Sequence, residues 1–208
     1  MPLPDLMMVR TVLPWLDIAG IAIFAISGAL AAARREQTIV TFTFFAAVTG
    51  TGGGTVRDLL IGAPVFWIHD NRALAVCLVA ALAVWMTPRR IWPVKALEWF
   101  DGVGLAAYAV FGSWKALAFG VPPLGAAAMG VFTACLGGII RDVLAGEPSI
   151  LLRPELYVTA AALSAGLFVV LSLLGAPLLI AAGIAALAGF ALRALAIHRG
   201  LALPGYHD

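Results

Sequence analysis

The sequence predicts an all-α integral membrane protein: seven transmembrane helices arranged as two inverted three-helix repeats plus a seventh helix, with helices two and five broken at glycines. Three observations carry that prediction. The 208-residue chain is 62% hydrophobic and 12% charged, against about 25% charged in soluble domains, and its mean hydropathy is +1.02. Seven apolar runs come near the ~20 residues with which a helix crosses a bilayer while satisfying its own backbone. The segment Gly53-Gly54-x-x-Arg57-Asp58-x-Leu60-x-Gly62-x-Pro64 returns 84 positions later as Gly137-Gly138-x-x-Arg141-Asp142-x-Leu144-x-Gly146-x-Pro148. The same offset pairs Asp17 with Asp101, Gly20 with Gly104, Ala25 with Ala109 and Gly28 with Gly112, without a gap.

Span one covers about 14–33. Ala31-Ala32-Ala33 has the look of a signal-cleavage site, but Arg34 and Arg35 follow it directly and the segment has a counterpart at 101–117. We therefore expect a retained span. Span two, about 38–62, is interrupted by Gly50-Thr51-Gly52-Gly53-Gly54. The residues from Thr38 to Thr49 rise about 18 Å as a helix, which puts the interruption near mid-bilayer. Each interior glycine costs about 1 kcal/mol against alanine, so the segment is expected to kink or unwind. Span three, about 72–88, has a short apolar centre from Ala73 to Met86; span four covers about 98–118. Span five, about 124–146, holds the milder interruption Gly137-Gly138, and span six covers about 154–174. One membrane domain, 1–208, thus contains repeat one (about 14–88), repeat two (about 98–174) and the unduplicated seventh helix (about 177–197).

Basic residues favour the cytoplasmic side. The loops after spans one, three and five and the C-terminal end hold Arg34, Arg35, Arg89, Arg90, Lys95, Arg153, Arg193 and Arg199, whereas the other side holds Arg10 and Arg72. The expectation is a multi-pass protein of the plasma (inner) membrane, N-terminus outside and C-terminus in the cytoplasm. Three spans per repeat make the second repeat cross in the opposite sense, which places a pseudo-two-fold axis in the membrane plane and sites near the midplane.

Charges at bilayer depth cost at least about 2.5–3.5 kcal/mol and so face protein or water. Arg57 and Asp58 should lie about 7 Å to one side of the midplane, Arg141 and Asp142 about 7 Å to the other. Asp17 falls at nearly the depth of Arg57, and Asp101 at that of Arg141. Two clusters are expected, Asp17/Arg57/Asp58 outside and Asp101/Arg141/Asp142 inside, either locking each unit together or lining a path. Lys115 has Ala31 as its counterpart; it either snorkels to the interface or faces the pathway as a positive barrier. Gly20, Gly28, Gly104 and Gly112 suit close helix packing. For Gly52, Gly53, Gly54, Gly137 and Gly138, packing competes with a wet cavity that uses freed carbonyls as cation ligands.

Other chemistry is not visible. Cys77 and Cys135 lie inside spans without metal-ligand spacing, and His69, His198 and His207 form no cluster. There is no nucleophile–base arrangement or phosphate loop, so no enzyme and no cofactor are expected. Net charge is +2 with the basic residues scattered, which argues against nucleic acid. No soluble protein partner is implied. Trp15, Trp67, Trp92 and Trp99 sit at span ends as interfacial anchors, and Ser27, Ser164 and Ser172 read as ordinary polar residues within helices.

The paired Gly-Gly-x-x-Arg-Asp segments, above all Gly50-Thr51-Gly52-Gly53-Gly54-Thr55-Val56-Arg57-Asp58, resemble the bacterial branch of the trimeric intracellular cation (TRIC) channel family. That branch overlaps the small bacterial membrane proteins described as glycine transporters. The resemblance covers about residues 14–197. It implies a homotrimer in the lipid bilayer, one pore within each protomer, and passage of monovalent cations, chiefly potassium. It also implies that the kinked helices two and five carry the pore, with Gly52, Gly53, Gly54, Gly137 and Gly138 on its wall. The lysine-bearing segment by which animal members hold phosphoinositide has no match here, since Met129 to Leu136 carries no basic residue. From the residues alone a secondary transporter of glycine or another small amino acid stays open: Arg57 and Arg141 beside half-helix N-termini suit a carboxylate, while Asp58 and Asp142 suit a cation.

Overall fold

The computed structural model describes residues 6–204. The side chain of Arg10, His207 and both chain ends lie outside the described residues. The chain folds into α1 (Leu6–Arg34), α2 (Ile39–Leu60), a single turn α3 (Phe66–His69), α4 (Asn71–Met86), α5 (Ala96–Ala118), α6 (Pro123–Leu144), α7 (Val158–Leu173) and α8 (Leu178–Arg199). Apart from α3, each answers to one expected span with ends shifted by four residues or fewer, except that α1 begins eight residues before span one. Four helices are long and apolar enough to cross a membrane by length and composition: α1 from Asp17 onward, α2, α6 and α8. The apolar α4 and α7 have 16 residues each. The 23-residue α5 carries Glu98, Asp101 and Lys115.

Local chemistry sets the ends. Asp70 caps α4 by accepting the Arg72 N–H at 3.0 Å, satisfying a donor that the first turn leaves unpaired. Pro123 opens α6, where its missing N–H costs nothing. The repeated Gly-x-Pro explains itself: Gly62 and Gly146 follow α2 and α6 with φ of 69° and 65°, a conformation in which a Cβ would be strained.

Helices α1, α2 and α4 pack together as one unit, and α5, α6 and α7 as another. The units meet along α1–α5 and α2–α6, and α8 lies against α5 and α7. Contacts at this seam are reciprocal across the 84-residue offset. A Cβ on Gly20 would overlap the Tyr108 ring, and one on Gly104 would stand 3.0 Å from the Phe24 ring. The two rings themselves meet edge-on at 5.3 Å. A Cβ on Gly53 would overlap the Thr133 carbonyl oxygen, and one on Gly137 would lie 2.5 Å from that of Thr49. Small residues bring the backbones together, as in tightly packed membrane helices.

The glycine interruptions do not unwind their helices. Helix α2 runs unbroken from Ile39 to Leu60 and α6 from Pro123 to Leu144, which corrects the expected break. Backbone packing across Gly53 and Gly137 offsets the entropic cost of the glycines, and the helical ladder retains the carbonyls expected to be freed. Threonine hydroxyls add to that ladder: Thr51 donates to the Ala47 carbonyl at 2.7 Å, Thr55 to that of Thr51 at 2.8 Å, and Thr133 to that of Met129 at 2.6 Å.

Basic residues gather at one end of the bundle. Arg34 pairs with Glu98 at 3.0 Å, Arg35 with Glu147 at 2.7 Å, and Arg89 with Glu36 at 3.1 Å. Lys95 donates to the Ile197 carbonyl at 2.8 Å. The C-terminal ends of α1, α4, α6 and α8 therefore share this end with the N-terminal ends of α2 and α5.

Candidate functional site

Two buried ionic clusters flank the α2–α6 seam, each built on an Arg-Asp pair near the C-terminal end of one of these helices. In the first, Arg57 Nε donates to Asp58 Oδ1 at 2.8 Å. Arg57 Nη2 also lies 2.8 Å from that oxygen but out of hydrogen-bond alignment, and both Nη atoms are buried without a hydrogen-bond partner. Asp58 Oδ2 accepts the Phe66 N–H at 3.2 Å. The second cluster repeats this frame: Arg141 Nε donates to Asp142 Oδ1 at 2.9 Å, and Asp142 Oδ2 accepts the Ile150 N–H at 3.0 Å. Arg-Asp neighbours on one turn thus tie the helix end to the backbone that leaves it. Removing either partner of such a buried pair would leave an uncompensated charge.

Beyond that frame the clusters differ. Arg141 Nη1 donates to Asp101 Oδ1 at 2.6 Å and also to Ser27, so the expected Asp101/Arg141/Asp142 grouping is present. The expected counterpart is not: Asp17 makes no ion pair with Arg57, and its Oδ1 accepts the Tyr108 hydroxyl at 2.7 Å. The physical reason lies in two swaps across the repeat. Tyr108 stands where the first repeat has Phe24, and its hydroxyl takes up Asp17. Phe111 stands where the first repeat has Ser27, so Arg57 stacks over a ring, 5.1 Å from its centroid, where Arg141 finds a hydroxyl. Lys115 turns inward and pairs with Asp58 Oδ1 at 2.8 Å. The ammonium therefore faces the cluster.

Sequence reasoning missed four participants. Ser27 and Tyr108 were signalled by the symmetry-breaking positions just named. Tyr157 breaks the symmetry in the same way, standing where the first repeat has Ala73, while Arg193 lies outside the duplication and had no such signal. Arg193 is fully buried, pairs with Glu155 at 2.9 Å and stacks over Tyr157 at 5.2 Å. Tyr157 in turn packs over Gly138.

The candidate glycines divide. Gly53 and Gly137 sit at the backbone contact, Gly54 beneath Phe66 and Gly138 beneath Tyr157, while Gly52 is half-buried with Ile140 at 3.3 Å from its Cβ position. At the basic end, a cavity of about 90 Å³ opens among exposed Arg34, Arg35 and Glu147 and reaches buried Arg141 and Asp142, with Glu98 and Arg153 on its wall. No group of three or more His, Cys, Asp or Glu able to hold a metal occurs among the described residues.

Duplicated three-helix units with buried Arg-Asp clusters at a glycine seam define a class of helical membrane protein, and comparison places the chain within it. A family model described as glycine transporter matches residues 14–89 and again 98–173. The UPF0126 membrane protein of Vibrio cholerae is 43% identical over 151 residues, which is 70% of this chain and 62% of that protein. The UPF0126 inner membrane protein YadS of Escherichia coli is 43% identical over 150 residues, 70% of this chain and 72% of that one. The structure of the TRIC trimeric intracellular cation channel orthologue from Rhodobacter sphaeroides superposes with a TM-score of 0.85 at 44% identity, covering 92% of this chain and all of that one. The chain belongs to this family of bacterial membrane proteins, the bacterial branch of the TRIC channels, which the glycine-transporter model overlaps.

Proposed function

We propose that the chain is a channel for monovalent cations, chiefly potassium, with one pathway in each protomer of a homotrimer. The observation that carries this reading is the cavity at the basic end, which leads from exposed Arg34, Arg35 and Glu147 onto the buried Arg141 and Asp142. A charged cluster that solvent reaches from one side, facing a second buried cluster across the seam, is what a hydrated ion path needs on either side of its narrowest point. The pathway runs beside Gly138, Gly137 and Gly53 toward Gly52, Gly54, Arg57, Asp58 and Lys115. Asp17 and Asp101 flank it as structural members of the two clusters. The reciprocal contacts of Gly53 with Thr133 and of Gly137 with Thr49 support an inverted repeat about an axis at this seam. In that arrangement all seven longer helices cross the inner membrane and the basic end faces the cytoplasm. The TRIC relatives, whose descriptions name a trimer and a cation channel, support the same reading.

Purified protein in planar bilayers tests it. Unitary potassium currents are expected. Electrically silent uptake of glycine into liposomes, without such currents, would replace the channel with a carrier.

A further inference from the structure

The connections that leave the two clusters begin alike and end differently. Each is pinned at its start by an aspartate: the Phe66 N–H donates to Asp58 at 3.2 Å and the Ile150 N–H to Asp142 at 3.0 Å. Between α2 and α4 (61–70) the rest of the connection holds itself. Trp67 Nε1 donates to Thr55 Oγ1 at 2.8 Å, and Asp70 caps α4. Between α6 and α7 (145–157) neither device survives. The 84-residue register puts Leu151 in place of Trp67, Ile139 in place of Thr55 and Pro154 in place of Asp70. Leu151 is exposed, and Tyr157 gives α7 no side-chain cap. Yet this is the connection that puts Glu147, Ile150 and Arg153 on the cavity wall.

What holds it comes from outside the duplication. Helix α8 is fitted closely to α7 at Gly189, where a Cβ would overlap the Ser164 hydroxyl and stand 2.8 Å from the Ala160 carbonyl oxygen. From that base, buried Arg193 Nη1 donates to Glu155 Oε2 at 2.9 Å. Arg193 Nε and Nη2 have no partner, so this one carboxylate, with the Tyr157 ring, compensates its charge. Helix α8 then ends at left-handed Gly200, and the Gly200 and Leu201 N–H groups both donate to the Ala196 carbonyl, at 2.8 and 3.2 Å. Such a cap turns the chain back. Ala202 forms an antiparallel bridge with Glu155, and the Leu203 N–H donates to the Pro154 carbonyl at 2.6 Å. Arg193, Ala202 and Leu203 thus grip two adjacent residues of the connection. The Arg35–Glu147 pair, which also reaches it, is exposed on both sides and contributes little.

We propose that α8 and the strap Leu201–Leu203 clamp the connection 145–157 and so keep the cavity mouth narrow above Arg141 and Asp142. Arg193, Glu155 and Leu203 are positioning residues: none of them lines the cavity, and they act through Ile150 and Arg153, which do. The unduplicated helix thereby controls one end of the bundle and leaves the other to its own tether at Trp67. The proposal rests on the channel reading only in taking this cavity for the mouth of a pathway.

Ala31, buried on the cavity wall, is the reporter position. Purified trimer of the full chain carrying Ala31→Cys is reacted with a charged thiol reagent, and modification at each cysteine is followed by peptide mass spectrometry. A buried thiol reacts through local opening, so its rate scales with the opening equilibrium. Leu203→Pro, which removes the strap's N–H donor, should raise the rate about fivefold, the equivalent of a hydrogen bond worth ~1 kcal/mol. Glu155→Gln should raise it about tenfold or more, since a charge-assisted bond is worth ~1.5 kcal/mol or above. Trp67→Phe, which cuts the tether at the other end, should leave it unchanged. Should Glu155→Gln fail to assemble, Leu203→Pro still decides. An unchanged rate in Leu203→Pro overturns the clamp, and so does an equal rise in Trp67→Phe. A parallel rise at the buried native Cys77 would mean that the whole bundle has loosened, and overturns it as well. Bilayer currents separate the two proposals: potassium currents with an unaltered Ala31→Cys rate keep the channel and remove the clamp, while an accelerated rate without currents keeps the clamp and removes the channel.

Discussion

Replacing Gly53 by alanine puts one methyl group at the place where the two halves of the protein touch backbone to backbone. The new Cβ would overlap the Thr133 carbonyl oxygen and stand 3.1 Å from its carbon. The reciprocal contact, 2.5 Å from a Gly137 Cβ to the Thr49 oxygen, gauges the displacement. An ordinary C···O contact needs about 3.3 Å, so α2 and α6 must separate by about 0.8 Å or more along the seam. Overpacking costs about 1–3 kcal/mol, and backbone on both sides puts this case at the upper end. Helix propensity returns about 1 kcal/mol of it. The net loss is about 2 kcal/mol, or about 4–8 °C in Tm for a chain of this size. Gly137→Ala should cost a similar amount. The double variant should lose less than the sum, because the first methyl has already parted the helices, with a coupling of about 1 kcal/mol. Gly166→Ala and Gly183→Ala are the controls: nothing lies within 4 Å of either Cβ position, so each should be neutral or stabilising. The assay is apparent Tm by intrinsic fluorescence, with trimer content scored by size-exclusion chromatography. Gly53→Ala protein with wild-type Tm, or fully additive single and double losses, would refute the argument that these glycines set the seam.

The asymmetry between the clusters predicts unequal mutants at equivalent positions. Asp101→Asn takes one partner from the fully buried Arg141 and should cost about 3–5 kcal/mol, read as lost trimer yield. Asp17→Asn leaves an amide oxygen able to accept the Tyr108 hydroxyl and should cost under about 1 kcal/mol; equal losses from the two would count against the asymmetry. Orientation is checked by Arg199→Cys. A membrane-impermeant thiol reagent should not label it in intact cells, and the buried native Cys77 and Cys135 keep the background low. Extracellular labelling would reverse the assignment of the basic end to the cytoplasm.

The sequence by itself determined the helical membrane class, the duplication and the residues around which the site is built. These are legible because each follows from local chemistry: apolar runs of bilayer length, an 84-residue register kept without a gap, and Arg-Asp pairs whose neighbours in the chain are also their partners in space. Gly62 and Gly146 recur in that register, while their positive φ is seen only in the structure. What lay beyond reach depended on which helices meet. Four glycines in five positions raise the cost of a helix, and only the backbone contact between α2 and α6 decides that this cost is met by packing and not by unwinding. Asp17 and Asp101 are equivalent in the chain, yet one faces Tyr108 and the other Arg141, because a hydroxyl gained in place of Phe24 and a ring in place of Ser27 redistribute the same charges. Lys115 and Tyr157 reached the clusters from positions whose partners in the first repeat, Ala31 and Ala73, are alanine, and Arg193 from α8, which lies outside the duplication. Their place is a property of the tertiary structure, where a long side chain buried among helices pairs with whatever charge the packing brings within about 3 Å.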